Sequence, residues 1–441
     1  MRVILAFLLG SMLVVLTIGL IHTNAAQAMQ PQTVTPPNLL PAALAAKLAA
    51  SDGVMDDNLG YSVAANGDTI VVGAFGDNNS KGSVYVFVKP SGGWRNTLTE
   101  TAKLIASDGT AGDLFSFAVA IRDDTIVAGA VGDNSSQGAA YVFVKPNGGW
   151  SGTLTETAKV TAADGGGGDA FASALAINSD TLVAGAPTQT IGPNANQGSA
   201  YIFAKPTGGW VTTSTFTAKL TAADGMTEDA FGGSLALSGD TLVVGAPGFY
   251  DEPGLDAAYI FQKPGGGWVT TSTFTAKLTA SDGVGTDVFG LSATISNDVV
   301  VLGAADDDNK KGSIYIFDKP NSGWSGTLTE TAKITASDRA AGDRFGVSLS
   351  VISDTIVVGA PGADSGQGSA YLFVKPNNGW VTTSTFAAKL TASDGAADNF
   401  FGFSTAINSD TVVIGAQGYD GARGAVYVFS QPLFYFPIIF R

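Results

Sequence analysis

Carboxylates are the main side chains in this sequence that could carry out chemistry. The 441 residues include no Cys and one His, His22, which lies in an apolar stretch near the N-terminus. This excludes Ser-His-Asp and Cys-His nucleophilic sites, Cys/His zinc sites and haem ligation for the rest of the chain. Carboxylate chemistry, or no chemistry, remains.

One pair of acids recurs before a Phe as Asp-x-x-x-x-Asp. The clearest copies are Asp108/Asp113, Asp224/Asp229 and Asp282/Asp287. Two carboxylates at a fixed spacing serve some glycosidases and metal sites. The pattern occurs in some form all along the chain, however, whereas an enzyme needs one active site. We therefore interpret these acids as side chains that cap loop N–H groups.

Aromatic and acidic turns offer two further candidates. Six Trp residues follow turns such as "KPSGGW". Trp side chains stack on sugars, but aromatics fixed to a repeat are more typical of packing. Asp306, Asp307 and Asp308 are adjacent in "DDDNKKG". They are candidate Ca²⁺ ligands, with a solvated acidic turn as the alternative.

Two signatures show that the chain is an array of seven repeats. Lys in "AK[LVI]" stands at positions 47, 103, 159, 219, 277, 333 and 389, at spacings of 56, 56, 60, 58, 56 and 56. Tyr-x-Phe begins at Tyr85, Tyr141, Tyr201, Tyr259, Tyr315, Tyr371 and Tyr427. One common period indicates one repeat domain rather than several unrelated domains.

Each repeat contains four strand signals and no helical period. In the fourth repeat these are "FGGSLAL", "TLVVGAP", "AAYIF" and "WVTTSTFTAKLTA". Four antiparallel strands repeated seven times predict an all-β fold, a seven-bladed β-propeller. The first strand has one face of small residues, as an inner strand near a crowded axis requires. We interpret the repeated Lys as a charge that protects an exposed outer edge.

The phase of the repeats predicts how the ring closes. The array opens with the end of a fourth strand and finishes with the first three strands of a repeat. The strand near Leu44–Ala50 should therefore complete the last blade by pairing near Val426–Phe429. We assign residues 42–429 to the propeller, 29–41 to a Pro-rich linker and 430–441 to an apolar C-terminal tail. Docking of this tail on the propeller is favoured over an export or partner contact.

Residues 1–28 have the features of a signal peptide. Arg2 precedes an apolar core, and "AQA" at 26–28 supplies small residues for cleavage. A retained membrane anchor is the alternative, because the apolar run is long enough to span a bilayer. The expected location is extracellular, secreted or at the cell surface, with no membrane span after signal removal.

The repeat resembles the FG-GAP repeats of bacterial exported proteins and of the integrin α-subunit propeller. Phe-Gly begins at Phe231, Phe289, Phe345 and Phe401, and Gly-Ala-Pro begins at Gly185, Gly245 and Gly359. The resemblance implies a seven-bladed propeller used in extracellular adhesion or ligand binding. It also implies Ca²⁺ bound in the loop between the first two strands.

That calcium loop is missing from this sequence. The family's D-x-D-x-D-G-x-x-D pattern is replaced by turns such as "SGDT" at 238–241. A turn with one acid cannot supply the six to eight oxygens that Ca²⁺ requires. We interpret Asp240 as a turn residue and expect no cofactor.

Function is expected where the repeat loses its symmetry. The two longer repeats have insertions at 188–197 and 248–256. The candidate binding residues are Phe249, Tyr250, Asp251, Glu252, Asp256, Asn194 and Asn196. We expect a monomeric, non-catalytic module for a protein or glycan ligand. A carboxylate-only glycan hydrolase or lyase and a structural envelope component are the alternatives, and the net charge of −15 argues against nucleic acid.

Overall fold

A computed structural model describes residues 43–248 and 256–430, which belong to one compact unit. They form seven sheets, each built on four antiparallel strands. The first strands are β2 (Ser62–Asn66), β7 (Phe115–Arg122), β12 (Leu175–Ile177), β16 (Ser234–Ser238), β20 (Phe289–Ser296), β25 (Ser348–Ile352) and β29 (Phe401–Ile407). The second strands are β3 (Thr69–Ala74), β8 (Thr125–Ala130), β13 (Thr181–Ala186), β17 (Thr241–Ala246), β21 (Val299–Ala304), β26 (Thr355–Ala360) and β30 (Thr411–Ala416).

The outer half of each sheet follows the same order. The third strands are β4 (Ser83–Val88), β9 (Ala139–Val144), β14 (Ser199–Ala204), β18 (Ala257–Gln262), β22 (Ser313–Asp318), β27 (Ser369–Val374) and β31 (Ala425–Ser430). The fourth strands are β6 (Ala102–Ile105), β11 (Ala158–Val160), β15 (Ala218–Leu220), β19 (Ala276–Thr279), β24 (Ala332–Ile334), β28 (Ala388–Leu390) and β1 (Leu44–Leu48). Three further strands are β5 (Asn96–Leu98), β10 (Gly152–Thr155) and β23 (Gly326–Thr329). Short helical turns occupy Asp77–Ser80, Asp133–Ser136, Asp307–Lys310, Ala363–Gly366 and Tyr419–Ala422.

The sheets are the blades of a closed ring, and we number them 1 to 7 from β2 onward. The first strand of each blade contacts the first strand of the next blade, and β29 contacts β2. The predicted all-β, seven-bladed propeller is confirmed. We call the side that carries the loops between second and third strands the loop face. The opposite side, which carries the turns between first and second strands, is the turn face.

The N-terminal strand closes the ring as predicted. β1 pairs antiparallel with β31, with Leu44 opposite Phe429 and Leu48 opposite Val426. Ser430 N also donates a hydrogen bond to Ala43 O at 3.0 Å. The last blade is therefore assembled from both ends of the described chain.

Small residues let the first strands approach each other closely. Ser62 Oγ donates to Ser116 O in the next blade at 2.8 Å. A Cβ added at Gly73 would lie 2.5 Å from the same carbonyl oxygen. Glycine is therefore required where the second strand passes the neighbouring blade, which explains the Gly-Ala ending of this strand.

The hydrophobic core lies between blades. Seven clusters of buried residues each combine side chains of neighbouring blades, and the seven repeated Tyr side chains are at most 1% exposed. The Phe that opens a blade packs edge-on against such a Tyr, as Phe289 does with Tyr315 at 5.4 Å between ring centroids. The buried core of each blade is thus shared with its neighbours.

The predicted outer strand is wrong in one respect. The segment from Trp to "AK[LVI]" does not form one continuous strand, because its first part crosses to the preceding blade. There it adds a parallel strand, as β5 does on β1 and β10 does on β6. In blades 3, 4 and 6 the same crossing is a single parallel bridge, such as Val160 with Thr213.

Candidate functional site

The repeated Lys lies in a cluster of ionic groups on the outer part of each blade. In blade 1, Lys103 Nζ lies 2.6 Å from Asp52 Oδ2 and 2.7 Å from Asp77 Oδ2. It also lies over the Tyr85 ring, 5.0 Å from the centroid. Tyr85 OH donates to Asp52 Oδ1 at 2.8 Å. Burial opposes the charge on Asp52, but the hydrogen bonds from Lys103 and Tyr85 hold its pKa below the usual value.

Every blade has a version of this cluster. The other pairs are Lys159–Asp108, Lys219–Asp164, Lys277–Asp224, Lys333–Asp282, Lys389–Asp338 and Lys47–Asp394. The interpretation of the Lys as a guard of an open edge is therefore wrong. Each Lys instead ties a fourth strand to the preceding interblade loop, and most of these edges carry a crossing segment.

The two acids of the Asp-x-x-x-x-Asp pattern have different partners. The second acid caps its loop as predicted, since Asp113 Oδ2 accepts from Thr110 N at 2.6 Å. The first acid, Asp108, instead binds Lys159 and the hydroxyl of Tyr141. The prediction that both acids cap loop N–H groups is therefore confirmed for the second acid and wrong for the first. The repetition of both roles around the ring identifies the pattern as structural.

The Trp side chains are packed in the core rather than exposed on the surface. Their exposure ranges from 4% for Trp150 to 9% for Trp94. Each lies in a cluster with the fourth strand of the preceding blade, as Trp94 does with Leu48. The packing interpretation is confirmed.

Each candidate Ca²⁺ ligand at 306–308 already has a cationic partner. Asp306 pairs with Arg344 at 3.1 Å, Asp307 with Lys333 at 2.8 Å, and Asp308 with Lys311 and Arg339 at 3.2 Å. A cation would have to displace these partners. Across residues 43–248 and 256–430, no three acidic side chains are grouped to hold a metal ion.

The insertion of blade 3 is held against the next interblade loop by the candidate asparagines. Asn194 Nδ2 donates to Gly225 O at 2.9 Å. Asn196 Nδ2 donates to the Glu228 carboxylate at 3.0 and 3.1 Å. Both side chains therefore shape the loop.

Asp256 occupies a position that is Gly in the other six repeats. Those residues are Gly82, Gly138, Gly198, Gly312, Gly368 and Gly424. In other blades the opening Phe amide donates to a backbone carbonyl, as Phe115 N does to Lys81 O. In blade 4 Asp256 Oδ2 accepts from Phe289 N at 3.1 Å. The side chain of Asp256 thus ties blade 4 to the opening Phe of blade 5.

Asp256 and Asp229 form an acidic region found in blade 4. Burial raises the pKa of Asp256 to about 8, with Asp287 and Asp229 adding to the effect, and burial raises the pKa of Asp229 to about 6. Oδ1 of each is buried without a hydrogen-bond partner among the described residues. The candidates Phe249, Tyr250, Asp251 and Glu252 lie outside the described residues.

The loop face carries an aromatic cluster that the sequence motifs did not predict. Tyr61 lies 4.6 Å from Phe75, 5.1 Å from Phe117 and 5.0 Å from Phe403 between ring centroids. These partly exposed rings come from blades 7, 1 and 2. Tyr61, Phe117 and Phe403 share one repeat position, where the other blades have Ser173, Gly233, Leu291 and Val347. Comparison of the repeats at that position would have found the asymmetry.

Comparison with known proteins gives a family and a fold. The FG-GAP repeat model matches residues 43–87, 98–143, 154–203, 214–261, 272–317, 328–373 and 385–429. The WD40 β-propeller domain of Doa1 is similar in structure, with a TM-score of 0.50 and 11% identity over 88% of this chain and 96% of that chain. No curated protein sequence matches. The structural similarity concerns the fold alone.

Proposed function

The chain belongs to the FG-GAP repeat family, and from this premise we propose that it is a non-catalytic binding or adhesion module. Its loop face engages a protein or glycan ligand. The first 28 residues, which lie outside the described part, direct export, so the ligand is extracellular. The described residues include no helix long and apolar enough to cross a membrane.

The asymmetry of the loop face is the observation that carries this proposal. A propeller built from identical repeats offers the same surface seven times, so selective binding requires blades that differ. The insertions of blades 3 and 4 both connect second to third strands. The strands that they join belong to neighbouring blades and meet at the loop face, which is where we place both insertions. The cluster around Tyr61 adds partly exposed aromatic rings to that face, a composition enriched in binding surfaces.

The distribution of carboxylates supports a non-catalytic role. The repeated acids bind Lys, Tyr and backbone amides in several blades. The pair restricted to blade 4, Asp229 and Asp256, comes nearest to what a hydrolase or lyase would need. Asp229 is only 4% exposed and caps Met226 N, and Asp256 accepts from Phe289 N. Both carboxylates are thus engaged by backbone amides, which supports a structural role for the pair.

The test combines a screen with loop variants. The chain beginning at residue 29 is applied to glycan and protein arrays. Each insertion is then shortened to "VGDNSSQG", the sequence of blade 2. We expect either shortened loop to reduce the affinity for the best array ligand at least about tenfold. A loss of this size corresponds to the removal of one or two residues that anchor the ligand.

A control keeps the loop face intact. Asp298→Ala changes an exposed turn-face residue and should leave binding unchanged. Thermal unfolding checks that shortening the 188–197 loop, which removes the Asn194 and Asn196 contacts, leaves the propeller folded. Unchanged affinity in both shortened proteins, or binding lost equally in the Asp298 variant, would contradict the proposal.

A further inference from the structure

One outer edge of the ring differs from the other six. The fourth strands of blades 1, 4 and 7 each pair with a crossing strand of the next blade. The fourth strands of blades 2, 3 and 5 each form a single parallel bridge with the crossing segment of the next blade. The fourth strand of blade 6, β28, has no such partner among the described residues. Blade 7 would have to supply it, and the continuation of blade 7 after Ser430 is the segment 431–441.

The side chains of β28 are also less buried than those of the other fourth strands. The Ala of "AK[LVI]" is at most 2% exposed at Ala46, Ala102, Ala158, Ala218, Ala276 and Ala332. Ala388 of β28 is only partly buried. Six core clusters include a Trp from the following blade, whereas the cluster around β28 has none among the described residues. Among the described residues, β28 therefore lacks both the crossing strand and the aromatic side chain that the other fourth strands have.

The sequence of 431–441 matches what is missing. In the other six repeats, Pro and Trp follow the last Phe of the third strand by three and seven residues, as in Phe87, Pro90 and Trp94. Counting from Phe429 gives Pro432 and Phe436 at these positions. The chain also follows the common path up to its last described residue, since Ser430 pairs with Thr411 as Val88 pairs with Thr69. We propose that residues 432–440 cross to blade 6 and pair in parallel with β28, with Phe436 in the place of the Trp.

The register follows from backbone conformation. In β5, β10 and β23 the second residue after the Trp has a positive φ, at Asn96, Gly152 and Gly326. The tail has Ile438 there, a β-branched residue that avoids this conformation. The tail therefore follows the bridge geometry of blades 3, 4 and 6, in which the third residue after the Trp, such as Thr383, lies opposite Ile334. This places Ile439 opposite Leu390.

Two consequences of this register can be measured. In blade 5, Thr335 N donates to Thr383 O of the crossing segment at 3.1 Å. Thr391 is the corresponding residue of blade 6, so in the proposed register its N–H donates to Ile439 O. Side chains of residues opposite each other point to the same side of a sheet. Since Leu390 is 4% exposed, Ile439 points into the core, whereas Ile438 points outward. This is β-augmentation of an edge by the protein's own C-terminal segment.

Amide hydrogen exchange tests the pairing in the full chain. We expect the peptide containing Thr391 to exchange about tenfold more slowly in the full chain than in a chain ending at Ser430. The peptide containing Thr335 serves as the internal control and should not change. Ile439→Asp should raise Thr391 exchange to the level of the shortened chain. Ile438→Asp, the matched control, should retain most of the protection.

Three results would overturn the proposal. Equal exchange at Thr391 in the full and shortened chains would show that the tail does not cover β28. Equal effects of the two Ile substitutions would show that the register is wrong. Protection that increases with protein concentration would show that the tail pairs with a second copy rather than its own propeller.

Discussion

Replacement of Leu48 by Ala tests whether the N-terminal strand holds the ring closed. Leu48 lies opposite Val426, is fully buried, and packs in the cluster that includes Ala46 and Trp94. Loss of its buried methyl groups leaves a cavity between blades 7 and 1. We expect Leu48→Ala to lower the free energy of unfolding by about 3 kcal/mol.

Leu44 provides a matched control on the same strand. It also pairs with β31, but its side chain is 42% exposed, so Leu44→Ala should cost less than about 1 kcal/mol. Urea-induced unfolding followed by Trp fluorescence measures both variants. A chain beginning at Asp52 loses the whole strand, which has partners on both edges, and should unfold at still lower urea. If Leu48→Ala costs no more than Leu44→Ala, or the shortened chain unfolds like the full chain, β1 does not close the ring.

Two further predictions concern charge. In the folded protein the pKa of Asp256 is about 8 and the pKa of Asp229 is about 6, whereas both groups release their protons near pH 4 in the unfolded chain. The folded state therefore binds more protons between about pH 4 and 8, so these groups should make stability fall as pH rises through that range. Relative to the natural protein, Asp256→Asn should gain about 4 kcal/mol of stability between pH 5 and pH 9, since about three pH units of the shift lie in that range. Urea unfolding that shows the same pH dependence in both proteins would contradict this. Thermal unfolding in EDTA and in millimolar Ca²⁺ should give the same midpoint, because the acids at 306–308 are bound to Lys and Arg. A rise of more than about three degrees with Ca²⁺ would reveal a bound ion.

The repeat period was sufficient to predict the propeller and its closure. The positions of the repeated Lys and Tyr set the number of blades, and the incomplete first repeat showed that the Leu44–Leu48 strand must join the last one. The path of the crossing segment could not be predicted in the same way. The pattern of "WVTTSTFTAKLTA" suits one long strand, and only the positions of neighbouring blades show that its first part pairs elsewhere.

The candidate site was predicted less well for a related reason. The role of Lys103 depends on Asp52 of the preceding interblade loop and on Tyr85, partners that no local pattern reveals. The sequence predicted Asp256 as an acceptor for a ligand, but its carboxylate accepts from the backbone amide of Phe289. Alignment of the seven repeats with one another would have shown it as the one acid at a position of Gly.

The position of β1 also determines how the protein responds to mechanical force. Ala43 and Ser430 are neighbours at the turn face although 387 positions separate them in the chain. Pulling these two ends apart would open the β1–β31 pairing one hydrogen bond at a time. Pulling between residue 43 and a ligand held on the loop face would act along β1, roughly perpendicular to its hydrogen bonds. Both edges of β1 are paired, with β31 and with β5, so all of these bonds would share the load in shear.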